Sequence, residues 1–172
     1  MDDFSFTLHF LLPARDSDPE QYLDALFEAG CDDAAIGVGQ YGMIGLDFTR
    51  AAASAEDAIR SAIENVRTAI PGATLVQAGP DMVGLTEMAE IFGFSRQNMR
   101  KYATGQSGGP GTFPSPVVSG EPSLWHLAEI VAWLRANTSV STAERVLDLA
   151  KATAKVNFEV ERKRMKRILT LS

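Results

Sequence analysis

Four apolar stretches of strand type and two stretches of helical periodicity occupy residues 1–80, and their order limits the fold more than any other feature. The strand-type stretches are rich in Phe, Leu, Ile, Val and Thr. The strands are predicted at 4–12, 35–39, 43–49 and 73–78. The helices are predicted between Asp18 and Gly30 and from Ser54 to Ile70. The predicted order of elements is therefore β-α-β-β-α-β.

Both predicted helices begin at capping signals. Asp18 is a good N-cap, and Pro19 follows it at the first helical position. Ser54 and Asp57 form an S-x-x-D capping box at the second helix. The element order is the split βαβ arrangement, so residues 1–80 are predicted to form a ferredoxin-like βαββαβ domain of the α+β class.

The segment "GVGQYG" (37–42) matches the dinucleotide-binding pattern G-x-G-x-x-G. In a dinucleotide fold the last glycine opens a helix, whose N-terminal amides bind the phosphates. Here Gly42 is followed by "MIGLDF", which is a predicted strand. We therefore interpret these glycines as residues of a tight hairpin and expect no cofactor.

The residues that carry most catalysis and metal binding are scarce. The chain has one cysteine, Cys31, and two histidines, His9 and His126. These are too few for a convincing His/Cys metal centre, and no Ser-His-Asp or Cys-His arrangement is present. Asp32 and Asp33 are interpreted as solvated loop residues. We therefore expect neither an enzyme nor a metal protein.

The sequence carries no signal for export or membrane insertion. Its first residues, Met-Asp-Asp, lack a basic region, and no apolar run is long enough to span a bilayer. A cytoplasmic protein without a membrane partner is expected.

Charge is distributed unevenly along the chain. Residues 1–81 hold 14 acidic and 4 basic residues, whereas residues 82–172 hold 8 acidic and 12 basic residues. Such asymmetry suggests modules with different partners. The acidic front part is predicted to bind a protein partner or a small ligand, or to extend a dimer.

The most informative stretch is "VGLTEMAEIFGFSRQNMRKYATG" (83–105). Thr86 is predicted to cap a short helix that Gly93 ends, and Ser95 to cap a second helix from Arg96 to about Ala103. A helix, a short glycine turn and a second helix together predict a helix-turn-helix.

The second of these helices has side chains suited to DNA. Met99 and Tyr102 are expected to face inward. Arginine pairs with guanine or phosphate, and Asn and Gln pair with adenine. A phosphate would also fit the helix N-terminus beside the Ser95 hydroxyl. The predicted DNA-binding residues are Thr86, Ser95, Arg96, Gln97, Asn98, Arg100 and Lys101. An ordinary solvated helix face is the alternative.

Residues 83–136 resemble the AlpA/excisionase branch of the MerR-like winged helix-turn-helix superfamily. The resemblance rests on "LTEMAEIFGFSRQNMRKY", on "GTFPSPV" as a wing, and on the tryptophan-bearing helix "LWHLAEIVAWLRA". It implies a DNA-binding domain over 82–137, often dimeric. This chain departs from the pattern because the domain follows another module and its wing lacks Lys and Arg.

The tail, 138–172, is predicted to be one long helix capped by Ser141 and Glu144. A stripe of Val146, Leu149, Thr153, Val156 and Val160 predicts either a dimer contact or packing on the chain's own domain. Its basic cluster includes possible phosphate contacts. They are Arg162, Lys163 and Arg164.

The favoured interpretation is a sequence-specific regulator of transcription that binds double-stranded DNA as a homodimer, a repressor or the autoregulating antitoxin of a toxin–antitoxin operon. An excisionase-like recombination directionality factor is the first alternative. A ligand-sensing or partner-binding module on the ferredoxin-like domain is the second. Bound to DNA, a regulator of this kind would be associated with the nucleoid.

Overall fold

The computed structural model describes residues 1–106, 112–141 and 144–172, and combines helices with sheets, as the predicted α+β class requires. The chain forms two compact units. The first consists of Met1–Gly79 and Lys155–Ser172, and the second of Pro80–Ala154. The tail predicted as a separate segment, 138–172, is thus divided between the two units.

A four-stranded sheet organises the first unit. Its strands are β1 (Asp2–Leu11), β2 (Ala34–Gly37), β3 (Met43–Ala52) and β4 (Thr74–Gly79). They lie in the order β2-β3-β1-β4, and every neighbouring pair is antiparallel. The long central strands pair over their full length, and β1 is irregular against β4 between His9 and Phe10.

Two helices accompany this sheet. A 3-10 turn (Pro19–Tyr22) leads into α1 (Leu23–Glu28), and α2 spans Ala55–Ala69. The Asp18 carboxylate accepts a hydrogen bond from the Glu20 amide at 3.0 Å. The Ser54 hydroxyl accepts one from the Asp57 amide at 3.1 Å. Both predicted N-caps are therefore confirmed, although the first begins a 3-10 turn.

Alternation along the strands gives the sheet one buried face. Phe6, Leu8 and Phe10 of β1 are buried, whereas His9 between them is exposed. The apolar stripe of α2 is buried as well, including Ile59 and Val66. These side chains form the core of the first unit.

Of the three glycines in the "GVGQYG" segment, only Gly42 occupies a position that requires glycine. Gly42 adopts a φ of +75°, and a Cβ there would lie 2.4 Å from the backbone oxygen of Arg15. Gly39 has no neighbour within 4 Å of such an atom. The hairpin therefore depends on Gly42, and our interpretation was wrong for Gly39.

Asp33 was wrongly interpreted as a solvated loop residue. The buried Arg50 donates to both of its carboxylate oxygens, at 2.7 and 2.9 Å. Arg50 also donates to Ser61, Asn65 and the carbonyl oxygen of Gly30. Sequence analysis gave no indication of this pair, because Asp33 and Arg50 are brought together only when strands β2 and β3 pair.

The second unit is built from helices and a two-stranded sheet. Strand β5 (Met82–Val83) pairs antiparallel with β6 (Trp125–His126). The helices are α3 (Leu85–Phe92), α4 (Arg96–Ala103), α5 (Leu127–Asn137) and the first part of α6 (Glu144–Ile168). Both tryptophans, Trp125 and Trp133, belong to the core, as predicted.

Helix α6 is continuous through both units. Thr153 is buried within the second unit, where its hydroxyl donates to the Pro80 carbonyl at 2.6 Å. Val156 is buried within the first unit. The stripe thus packs on the chain itself, which was one of its two predicted roles; the homodimer stays a prediction. Among the described residues, no helix is long and apolar enough to cross a membrane.

Candidate nucleic-acid interface

Helices α3 and α4 are joined by a tight glycine turn. Gly93 ends α3 in the left-handed conformation, with φ of 69° and ψ of 30°. The Phe94 amide then donates to the Ala89 carbonyl at 2.8 Å, which closes the end of the helix. Ser95 begins α4, and its hydroxyl accepts a hydrogen bond from the Asn98 amide at 3.1 Å. The predicted Gly93 turn and Ser95 cap are confirmed.

The predicted cap at Thr86 is wrong. Gly84, in an extended conformation, is the N-cap of α3, and no side chain caps the helix there. Leu85 already belongs to the first turn, because it packs against the core of the second unit. Thr86 is consequently an exposed residue of that first turn.

The inner face of α4 is anchored in the core. Met99 is fully buried. The ring of Tyr102 lies 6.2 Å from Phe94 and 5.7 Å, edge-on, from Trp133, measured between ring centroids. Edge-to-face packing of this kind fixes a helix in position as well as burying apolar area. The rotation of α4 about its axis is thereby determined, and with it the set of residues that face outward.

The outer face of α4 carries the polar side chains predicted to contact DNA. Gln97 is exposed together with the three cations, and Asn98 is half-buried. Across the described parts of the chain, no carboxylate lies within ion-pair distance of Arg96, Arg100 or Lys101. The three charges are therefore free to meet an anion from outside the unit.

A groove of about 740 Å³ lies beside this face. Arg96 and Arg100, one helical turn apart, line it together with Thr86 and Glu87. The segment 120–125 also lines it. The groove thus brings together three of the seven predicted DNA-binding residues. The other four are not part of its lining: Ser95, Gln97, Asn98 and Lys101.

Two carboxylates line this groove together with the two arginines, Glu87 on α3 and Glu121 in the segment 120–125. Partial burial, and then the negative charge of Glu90, raise the pKa of Glu87 above its usual value. The sequence gives no indication of a role for Glu87, because its position relative to α4 depends on the angle between two helices.

The segment predicted to be a wing is held by a β-bridge that follows it and by contacts with the two tryptophans. Val118 forms a β-bridge with Leu124, and the indole nitrogen of Trp125 donates to the Pro114 carbonyl at 3.0 Å. Phe113 packs edge-on against Trp133 at 5.0 Å. The predicted wing "GTFPSPV" begins at Gly111, and residues 107–111 lie outside the described residues.

The other predicted phosphate contacts, Arg162, Lys163 and Arg164, belong to α6 in the first unit. Lys163 and Arg164 line a cleft there, together with Arg67 and Arg167, whereas Arg162 does not. Arg67 was missed by sequence analysis because it lies about a hundred residues earlier, on α2.

Other reactive groups are held in structural roles. The Cys31 thiol is buried, and burial raises its pKa to about 11. His126 begins α5 and lies 2.8 Å, nitrogen to oxygen, from the carboxylate of the buried Asp81. Within the described residues, no group of three His, Cys, Asp or Glu side chains is arranged to hold a metal ion.

Comparison of this chain with models of protein families, with curated proteins and with solved structures found no match.

Proposed function

We propose that this protein is a sequence-specific DNA-binding regulator of transcription, and that α4 is its recognition helix. One observation carries the proposal: the core fixes α4 through Met99 and Tyr102, while its outward cations have no partner among the described residues. Three free cations on a fixed helix suit the phosphates and base edges of a major groove.

Within α4 the residues take different parts in the proposed contact. Gln97 and Asn98 lie in the first turn, where a recognition helix reaches base edges. Arg96, Arg100 and Lys101 supply positive charge, and Ser95 and Thr86 offer hydroxyls for phosphate oxygens. Gln97 and Asn98 set the sequence preference, whereas the cations and hydroxyls supply most of the affinity.

The fold supports more specific assignments in the same proposal. The strand order β2-β3-β1-β4, with two helices, supports the proposal of a ferredoxin-like domain. The turn at Gly93 and the bridge between Val118 and Leu124 fit a winged helix-turn-helix of the MerR-like type. We assign the chain to a repressor that acts as a homodimer and associates with the nucleoid. An autoregulating antitoxin or an excisionase-like factor would use the same helix with different partners.

Selection of duplexes from a randomised pool by the full-length protein tests the proposal. An enriched sequence is expected, and Gln97→Ala or Asn98→Ala should cost about 1–3 kcal/mol on that sequence and relax one base position. Arg100→Ala should instead weaken all sequences alike and reduce the salt slope by about one.

Arg135→Gln is the matched control, because Arg135 is an exposed cation of α5 in the same unit and does not line the groove. It should bind the selected duplex like the wild type. Circular dichroism shows whether each variant is folded. If no sequence is enriched, or if the α4 variants bind like Arg135→Gln, α4 does not recognise DNA.

A further inference from the structure

A basic cleft of about 400 Å³ lies in the first unit between α2, α6 and the end of the sheet. Four cations line it: Arg67, Lys163, Arg164 and Arg167. Its remaining lining is apolar apart from Thr74, and consists of Leu11, Ala73, Leu75, Val76 and Val160. No carboxylate belongs to the lining that the described residues provide.

The charges around the cleft contrast with those that come earlier along α2 and α6. There, Glu56 accepts hydrogen bonds from Lys155 at 2.8 Å and from Arg60 at 2.9 Å, and Arg60 also binds Glu159 at 2.9 Å. These contacts run in the same direction along both helices, so the helices are parallel. Acidic and basic side chains therefore alternate and neutralise one another over this stretch.

One to two turns further along, the same faces carry cations. Arg67 lies seven residues after Arg60, and Lys163 and Arg167 lie four and eight residues after Glu159. None of these three forms an ion pair with another described residue, and Arg164 has only a loose contact of 3.8 Å with Glu161. Glu64 lines an adjoining pocket of about 120 Å³, beside Arg67 and Lys163.

Like charges that converge without counter-ions repel one another, and the repulsion is relieved by a bound anion. The first unit as a whole is acidic, with 15 acidic and 10 basic residues. A general excess of positive charge therefore does not explain the cluster. The exposed Leu11 and the half-buried Val76 and Val160 add an apolar floor, which inorganic ions do not need.

We propose that this cleft binds a small amphipathic organic anion, with an apolar body on the floor and a phosphate or carboxylate among the four cations. Its volume is within the range of small-molecule sites, about 300–1,000 Å³. Arginine binds such groups through two parallel hydrogen bonds. The site is independent of the DNA contact proposed for α4, because it lies wholly in the first unit.

Isothermal titration of the full-length protein with octyl phosphate tests this site without DNA. Octyl phosphate should bind, whereas inorganic phosphate and the uncharged octyl glucoside should bind at least about tenfold more weakly, because each lacks one of the two required features. Arg67→Gln and Arg167→Gln should each weaken octyl phosphate about tenfold through loss of a charge-assisted hydrogen bond. Arg162→Gln is the control on the same helix and should leave the affinity unchanged.

Leu11→Thr provides a second, uncharged test, and should weaken octyl phosphate while leaving inorganic phosphate unaffected. The proposal fails if octyl phosphate does not bind, if inorganic phosphate binds as tightly, or if the two cleft arginines behave like Arg162. It also fails if Arg67→Gln reduces affinity for a DNA duplex but not for octyl phosphate, since the cleft would then be a nucleic-acid contact. Failure of α4 to recognise DNA would leave these results unchanged.

Discussion

At Gly42 the backbone holds a conformation that other residues rarely adopt, and the Arg15 backbone occupies the space of a side chain. Gly42→Ala should therefore destabilise the protein by about 1–3 kcal/mol from the backbone conformation alone, and by more through the close contact. Urea unfolding measures the change. Gly39→Ala is the control from the same loop and should be nearly neutral, because nothing lies near its added methyl group. Equal losses in the two variants would contradict the assignment.

The buried Arg50 makes five hydrogen bonds, two of them to Asp33, and lies 4.9 Å from the centroid of Phe48. Removing one partner of such a pair leaves a buried charge without compensation. Asp33→Asn should therefore destabilise the fold by about 3–5 kcal/mol. Asp32→Asn is the neighbouring control, since Asp32 is exposed, and should change stability by less than about 0.5 kcal/mol. A small loss of stability in Asp33→Asn would show that the buried Arg50 does not depend on the Asp33 carboxylate.

Glu87 adds a negative charge to the groove next to Arg96 and Arg100. Because the pKa of Glu87 is raised, Glu87 becomes protonated at a higher pH than an ordinary glutamate, and its own repulsion of phosphate then disappears. DNA affinity should therefore rise as the pH falls from 7 towards 5. Glu87→Gln should bind more tightly at pH 7 and lose part of this rise. Fluorescence anisotropy at several pH values measures both effects, and parallel pH profiles for the two proteins would refute them.

At the scale of elements, periodicity and caps predicted much of the secondary structure. The four strands were predicted within three residues of their observed ends, and the turn at Gly93 was placed correctly. Local sequence signals failed where a contact between residues distant in sequence determines the structure. Leu85 packs on the core and draws the start of α3 ahead of Thr86, and Arg67 meets α6 across about a hundred residues. Neither position leaves a trace in the local sequence.

Helix α6 closes the edge of the sheet through one side chain. The Asn157 amide accepts a hydrogen bond from the Ala78 amide and donates one to its carbonyl, both at 2.8 Å. Asn157→Leu should cost about 1–3 kcal/mol, because it leaves backbone groups of β4 without partners. Hydrogen exchange at the Ala78 amide should be faster in this variant. Phe158→Ala, at an exposed neighbouring position, should not change that exchange rate. Unchanged exchange in Asn157→Leu would show that α6 does not protect the strand.

In the whole molecule, the distribution of charge between the two compact units differs from its distribution between the two halves of the sequence. The second unit holds seven acidic and six basic residues, so it is nearly neutral. The positive excess seen after residue 81 comes mainly from the end of α6, which belongs to the first unit. A fragment starting at residue 82 would contain the end of α6 without the rest of the first unit, to which that end belongs. Experiments on DNA binding therefore require the full chain.

Salt dependence is the measurement that tests how the two units share the predicted phosphate contacts. Each phosphate neutralised by Lys or Arg contributes about −0.9 to the slope of log affinity against log salt. If Arg162, Lys163 and Arg164 contact the backbone, replacing all three by Gln should make the slope shallower by about two to three per protomer. The selected sequence should stay the same, because base contacts are assigned to α4. An unchanged slope in the folded triple variant would confine the phosphate contacts to the second unit.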